Sequence, residues 1–195
     1  MDILYHEASI LTRIPARGKT VTLDDLHRFA WQLFTRDAPD TDYARRPFVF
    51  RADPVGDRVL ITLRSDRPFK GATPLALRYR TGDTLTLDLC MIPTRRRERR
   101  EYTPPSSDWP SLWAEKLALA GLTPEADPAI DFMAYWSDAR RRGRDLMVMD
   151  SRVPVTIDDE AALATAWLDG VGRRRAYGMG LLRLAPDSQI TANAA

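Results

Sequence analysis

The chain is short of several things, and each shortage removes a class of protein. One cysteine, Cys90, among 195 residues excludes an internal disulfide and any cysteine-rich metal centre. There are only two histidines, His6 and His27, and no histidine–carboxylate ligand set is visible, so neither a metal nor another cofactor is expected. No run of 18 apolar residues occurs, which argues against a membrane span or a membrane partner. The start, Met1-Asp2-Ile3-Leu4-Tyr5-His6-Glu7, lacks the basic and apolar regions of a signal peptide, so a cytoplasmic location is expected. Lysine is scarce as well: Lys19, Lys70 and Lys116 are the only lysines among 29 cationic residues. A net charge of +2 does not by itself announce a polyanionic partner.

What is present is arginine, gathered in blocks. Arg95, Arg96, Arg97, Arg99 and Arg100 form one; Arg140, Arg141, Arg142 and Arg144 a second; Arg173, Arg174 and Arg175 a third. Acidic residues concentrate elsewhere, notably at Asp158-Asp159-Glu160, which reads as a helix start rather than a metal site. Segregated charge creates local fields that net charge conceals, and arginine's planar fork suits phosphate. Hydrophobic residues make up 44% of the chain, enough for a packed core.

Periodicity supplies the elements. A first strand lies within residues 1–9, followed by a connection with Pro15 and Gly18. Thr22 caps a helix, with Asp25 three positions on, and Leu23, Leu26, Phe29, Ala30, Leu33 and Phe34 recur at helical spacing until residues 37–42 break the pattern. Strands are expected at Phe48–Arg51 and Arg58–Leu63, a loop at Ser65–Thr73, and an alternating strand at Thr84–Ile92. The basic, proline-flanked stretch from Thr94 to Pro105 reads as a loop. Ser107 can cap a helix carrying Trp109, Leu112, Trp113 and Leu117, with Gly121 at its end. Two strands, Asp131–Trp136 and Leu146–Ile157, flank the second arginine block as a hairpin. Asp158 caps a third helix with Trp167 inward, and Met179–Leu184 is the closing strand.

This order divides the chain into residues 1–92, residues 93–187 and a tail, 188–195. It is compatible with two βαββαβ units, although the second helix of the first unit has little support. Trp109, Trp113 and Trp167 are expected in the core, whereas Trp136 borders the basic hairpin and can stack on a base.

The densest signal is Gly170-Val171-Gly172-Arg173-Arg174-Arg175-Ala176-Tyr177-Gly178-Met179-Gly180-Leu181-Leu182. Gly170, Gly172, Gly178 and Gly180 exceed what one helix cap needs, and glycine lets a backbone approach another chain closely. Glycines around consecutive arginines describe a loop suited to a phosphodiester backbone. His27 lies at the edge of the apolar stripe of its helix, beside Trp31 and Phe34, where it can exchange a proton at the rim of a cleft.

The stretch from Gly170 to Leu184-Ala185-Pro186, the lead-in Val155-Thr156-Ile157-Asp158-Asp159 and the helix Leu26–Phe34 resemble the CasE family of CRISPR repeat-RNA endoribonucleases, the RNA-processing subunit of Cascade. The resemblance implies an α+β fold of two tandem ferredoxin-like (RRM-like) βαββαβ domains, with His27 catalytic. It implies metal-independent cleavage on the 3′ side of a repeat stem-loop, leaving a 2′,3′-cyclic phosphate. The expected partners are the CRISPR repeat RNA hairpin, retained as crRNA, and the other subunits of a Cascade-like complex. The arginine blocks become candidate RNA contacts. Two departures stand out. Met91-Ile92-Pro93 replaces the family's interdomain Ala-Asn-Pro. Asp24 stands where the family often has a tyrosine, one turn before the histidine, so activity is expected to be weak or differently arranged. Asp24 can orient His27 or simply stabilise the helix start, and Tyr5 and Tyr177 are possible substitutes. The alternatives are a non-catalytic crRNA-hairpin-binding subunit and an unrelated ferredoxin-like interaction protein.

Overall fold

In the computed structural model, residues 1–14, 21–35, 46–98, 100–126, 129–138 and 144–186 are described, with side chains described outside 127–147. The expected connection at Pro15 and Gly18, the helix break at 37–42, Arg99, the hairpin tip Arg140–Arg142 and the tail 188–195 lie outside these residues.

The first helix, α1 (Leu23–Thr35), begins as its sequence dictates. Asp25 Oδ2 accepts from the Thr22 amide at 3.0 Å and from the Thr22 hydroxyl at 2.8 Å, while the Asp25 amide donates to Thr22 Oγ1 at 3.3 Å. These reciprocal bonds satisfy donors that a helix start leaves open. Leu23, Leu26, Ala30 and Phe34 are buried on one face. They meet a sheet made of β1 (Asp2–Thr12), β2 (Phe48–Val55), β3 (Arg58–Ser65) and β4 (Thr73–Arg78), hydrogen-bonded in the order β2-β3-β1-β4 with all neighbours antiparallel.

That order is the one a βαββαβ unit requires, and β4 is its fourth strand. The sequence reading gave this place to Thr84–Ile92 and missed Thr73–Arg78. The reason is physical: β4 is an edge strand in which Leu77 alone is buried, and Pro74 sits where an edge tolerates the missing donor. No helix occupies residues 66–72, so the first unit lacks its second helix.

Thr84–Met91, β5, instead belongs to the second sheet. It pairs antiparallel with β10 (Arg144–Ile157) and β11 (Arg183–Leu184), in the order β11-β5-β10-β8. Here β8 (Leu122–Pro124) pairs with Val155–Ile157, and β9 (Ala129–Asp138) pairs with residues 144–152, so the two run end to end along the same side of β10. With α2 (Trp109–Ala118) and α3 (Glu160–Asp169), the second unit repeats the first unit's strand order. By sheet membership it opens at Thr84, ahead of the expected division at 92/93.

Alternation along β5 faces two cores at once. Leu85, Leu87, Leu89 and Met91 pack with Trp109, Trp113 and Trp167, as expected for these tryptophans. Cys90 joins Phe48, Phe50, Leu26 and Met179 in the first core.

Four local expectations shift. Arg95–Arg97 (β6) and Arg100–Tyr102 (β7) pair as a short antiparallel ribbon instead of a loop, Arg95 opposite Tyr102. Ser107 lies in a 3-10 turn, Ser106–Asp108, and α2 starts after Asp108 without a side-chain cap. Asp159, not Asp158, caps α3, accepting from the amides of Ala161 and Ala162 at 2.9 and 3.0 Å. The closing strand is only Arg183–Leu184, because Gly178–Leu182 belongs to the loop.

Candidate active site

The glycine-rich segment leaves α3 at Gly170 and folds back on itself. The Val171 amide donates to the Gly180 carbonyl, and the Gly180 amide to the Cys90 carbonyl, both at 2.8 Å. Gly180 has φ +83°, and a Cβ there would collide with the Val171 carbonyl. A Cβ on Gly178, at φ +85°, would lie 3.0 Å from the Phe50 ring of the first sheet. Gly172 lies against Met91. The close approach expected of the glycines is therefore made to the protein's own backbone and core.

Held this way, the loop lays a 3-10 turn, Arg175–Tyr177, over α1. The Ala176 carbonyl accepts a 2.6 Å hydrogen bond from His27 Nδ1. A carbonyl can only accept, so the proton resides on Nδ1, and Nε2 keeps its lone pair in the neutral ring. The half-buried imidazole is flanked by the rings of Tyr177, 5.7 Å between centroids, and Trp31, 6.4 Å. Tyr5 is remote from it, packed edge-on against Trp167 in the other core. Asp24 is half-buried in the first turn of α1.

A cleft of about 450 Å³ opens beside His27, lined also by Trp31, Arg46, Phe48, Asp169, Arg174, Arg175 and Ala176. Among the described residues, three arginines and one aspartate line it. Arg175 Nη1 donates to the Asp169 carbonyl at 2.9 Å and to the Gly170 carbonyl at 3.3 Å, closing the C-terminal end of α3. Arg174 takes a left-handed backbone, φ 59°. Glu101 on β7 pairs with Arg173 and lies 3.8 Å from Arg174, which ties the basic ribbon to the glycine loop.

The structure thus brings together His27, the third arginine block and the ribbon that carries the first. Within that ribbon Arg96, Arg97 and Arg100 are exposed, while Arg95 pairs with Glu115 at 3.2 Å. Arg144 opens β10. Sequence reasoning missed Arg46, Asp169 and Glu101. Arg46 carried one signal, its place between a second arginine and Pro47 at the approach to β2; nothing in the local sequence marked Asp169 or Glu101.

Two ferredoxin-like units in tandem, with a histidine fastened to a glycine-rich loop in a basic cleft, define the class: a tandem ferredoxin-like α+β protein. A family model described as "CRISPR associated protein" matches residues 9–186, and the chain belongs to that family. A search of curated proteins by sequence finds no match. Among solved structures, Thermus thermophilus Cse3 bound to an RNA representing a pre-cleavage complex has TM-score 0.69 at 15% identity, covering 94% of this chain and 99% of that one. The CRISPR-associated protein Cas6e from Escherichia coli str. K-12 has TM-score 0.64 at 19% identity, over 94% and 99%. A chain of a CRISPR RNA-guided surveillance complex has TM-score 0.60 at 21% identity, over 93% and 98%. At these identities the likeness is one of fold.

Proposed function

We propose that this chain is the endoribonuclease that processes CRISPR precursor RNA, cutting on the 3′ side of a repeat stem-loop and retaining the product hairpin in a Cascade-like complex. The observation that carries the reading is His27, its tautomer set by the Ala176 carbonyl, in a cleft with three guanidiniums. Membership of the CRISPR-associated family supports it, as does a fold shared with Cse3 bound to RNA and with a chain of a surveillance complex.

The chemistry needs few groups. His27 Nε2 takes the proton of a 2′-hydroxyl, whose oxygen attacks the adjacent phosphorus. The bond from O2′ to phosphorus forms, the bond from phosphorus to O5′ breaks, and the departing O5′ accepts a proton. A 2′,3′-cyclic phosphate and a 5′-hydroxyl remain. The nucleophile is already tethered to the phosphate it attacks, so positioning supplies much of the rate. Positive charge at the cleft stabilises the oxyanions of the phosphorane. Arg95–Arg97, Arg99, Arg100, Arg140–Arg142 and Arg144 would grip stem phosphates, since an A-form major groove is too deep and narrow for base reading. Tyr177, whose ring lies beside that of His27, is the described phenol placed to replace the family tyrosine.

A second reading, a hairpin-binding subunit without catalysis, draws on Asp24 in that tyrosine's place. One assay separates them: incubation of the full chain with the repeat RNA of its own array, in EDTA, with analysis of the product ends. Cleavage to a cyclic phosphate is expected. Tight binding without cleavage selects the second reading, and a strict Mg²⁺ requirement with a 5′-phosphate product overturns the transesterification.

A further inference from the structure

We propose that Arg46, on the segment leading into β2, and Arg175, on the glycine-rich loop, form a two-guanidinium seat for a phosphodiester in the His27 cleft. The scissile phosphate as natural occupant rests on the endoribonuclease reading; the anion seat itself does not.

Arg51 and Arg64 are both buried, and both are saturated. Arg51 bonds to Asp53, Asp88 and Asp150 at 2.7 to 2.8 Å. Arg64 bonds to Glu7 and to the carbonyls of Trp167 and Leu182. Arg46 is the exception. Among the described residues its Nε and Nη1 are shielded from solvent with no hydrogen-bond partner, and its one described contact is the Phe48 ring, 5.6 Å from its guanidinium carbon. Burial, and the Arg175 charge beside it, pull its pKa down to about 10. A half-buried guanidinium with two shielded nitrogens left unpaired among the described residues is costly, so it persists where something else is gained.

A second guanidinium stands beside the first. Arg46 and Arg175 line one cleft with His27. Arg175 spends only Nη1 on carbonyls, and no other nitrogen of it bonds among the described residues. Two guanidiniums that repel each other want an anion between them, and paired forks match the oxygens of a phosphate diester. Among the described residues, Asp169 is the only acidic residue lining the cleft. Because the seat adjoins the imidazole, a phosphodiester in it brings its ribose within reach of the base, and the guanidiniums meet the charge that develops on phosphorus.

The test compares the full-length wild type with Arg46→Met and Arg46→Lys. Melting temperature is measured in inorganic phosphate and in chloride at equal ionic strength, which separates site binding from the general effect of phosphate on both proteins. In chloride, Arg46→Met should melt no lower than wild type. The extra rise in phosphate should appear in wild type, persist in part in Arg46→Lys and vanish in Arg46→Met. An equal rise in all three, or an Arg46→Met protein that melts well below wild type in chloride, overturns the seat. On repeat RNA at saturating protein, Arg46→Met should slow the single-turnover rate about 10²-fold or more, with hairpin affinity within about threefold of wild type. A loss confined to affinity overturns the catalytic assignment of the seat. If the wild type itself does not cut, the endoribonuclease reading fails while the phosphate measurement still decides the seat.

Discussion

The seam between the two sheets and the cleft beside His27 both gather arginine, and they complete it in opposite ways. At the seam, Arg51 from β2 reaches Asp88 on β5 and Asp150 on β10, and Arg183 on β11 closes the set by bonding Asp53 at 2.8 Å and Asp88 at 2.6 Å. Arg64 from β3 crosses to the second unit, its guanidinium 4.0 Å from the Trp167 ring centroid and 4.8 Å from that of Tyr5. Every charge there has a counter-charge from another strand, so the network specifies how the sheets meet. In the cleft, the guanidiniums outnumber the carboxylates among the described residues, and Arg46 Nε and Nη1 have no partner there. A satisfied network holds a structure together; unpaired guanidiniums in a cleft are complementary to an anion.

If that contrast is right, changes in the cleft should alter rate and changes at the seam should alter stability. The largest effect is expected at His27. His27→Ala should reduce single-turnover cleavage of repeat RNA by about 10²–10⁴ while hairpin binding and the urea midpoint stay near wild type. Undiminished cleavage by a folded His27→Ala protein would remove the imidazole from the reaction.

Arg51→Met is the counterpart at the seam. It strands Asp150 and leaves Asp53 and Asp88 to Arg183 alone, and loss of one partner from a buried ionic group costs about 3–5 kcal/mol. Urea denaturation should show a loss on that scale. A change below about 1 kcal/mol would mean that Arg183 alone holds the carboxylates, and that the seam resembles the cleft more than its geometry suggests.

Gly180→Ala joins the two regions. The added Cβ meets the Val171 carbonyl in a backbone at φ +83°, so a loss of about 2 kcal/mol or more is expected. The loop also carries the Ala176 carbonyl, so cleavage should fall with it. Full activity in a destabilised Gly180→Ala protein would show that His27 does not depend on the loop.

The smallest effect concerns acid. Burial pushes the Asp88 carboxyl up, but Arg51 and Arg183 outweigh it and hold the pKa below the usual aspartate range. Asp150 meets only one of those guanidiniums; burial and the neighbouring carboxylates leave its pKa raised. The depressed Asp88 contributes stability that is present above the ordinary aspartate pKa of about 3.9 and lost as pH falls through its own lower value. The raised Asp150 acts in the opposite sense, its contribution lost as pH rises through its folded value. Asp88→Asn should therefore flatten the decline of stability on acidification, and Asp150→Asn should not. Denaturation midpoints from pH 6 downward distinguish them.

Much of this was legible in the chain. The Thr22–Asp25 cap, the apolar stripe of α1 and the alternation of Thr84–Met91 are local properties, and each formed where its residues indicated. So did the inward tryptophans and the glycine-rich return of the chain. What failed to show was whatever depends on a neighbour. An exposed edge strand such as Thr73–Arg78 has almost no buried alternation to announce it, because its stability comes from hydrogen bonds to β1. Thr84–Met91 was visible as a strand but not as a member of the second sheet, since pattern records which residues are apolar and not which partner they meet.

The same division holds at the site. Sequence by itself determined the chemical types: one suitably placed histidine, arginine in place of lysine, and glycines at the four positions of a tight loop. Only the tertiary structure decided their use. It put the Ala176 carbonyl on His27 Nδ1 across 149 residues of chain, turned the glycines toward the protein's own backbone, and among the described residues gave Arg51 three carboxylates and Arg46 none. A tautomer, a close approach and an unpaired charge are relations between groups far apart in the chain, and they come into being only when folding brings those groups within hydrogen-bonding distance.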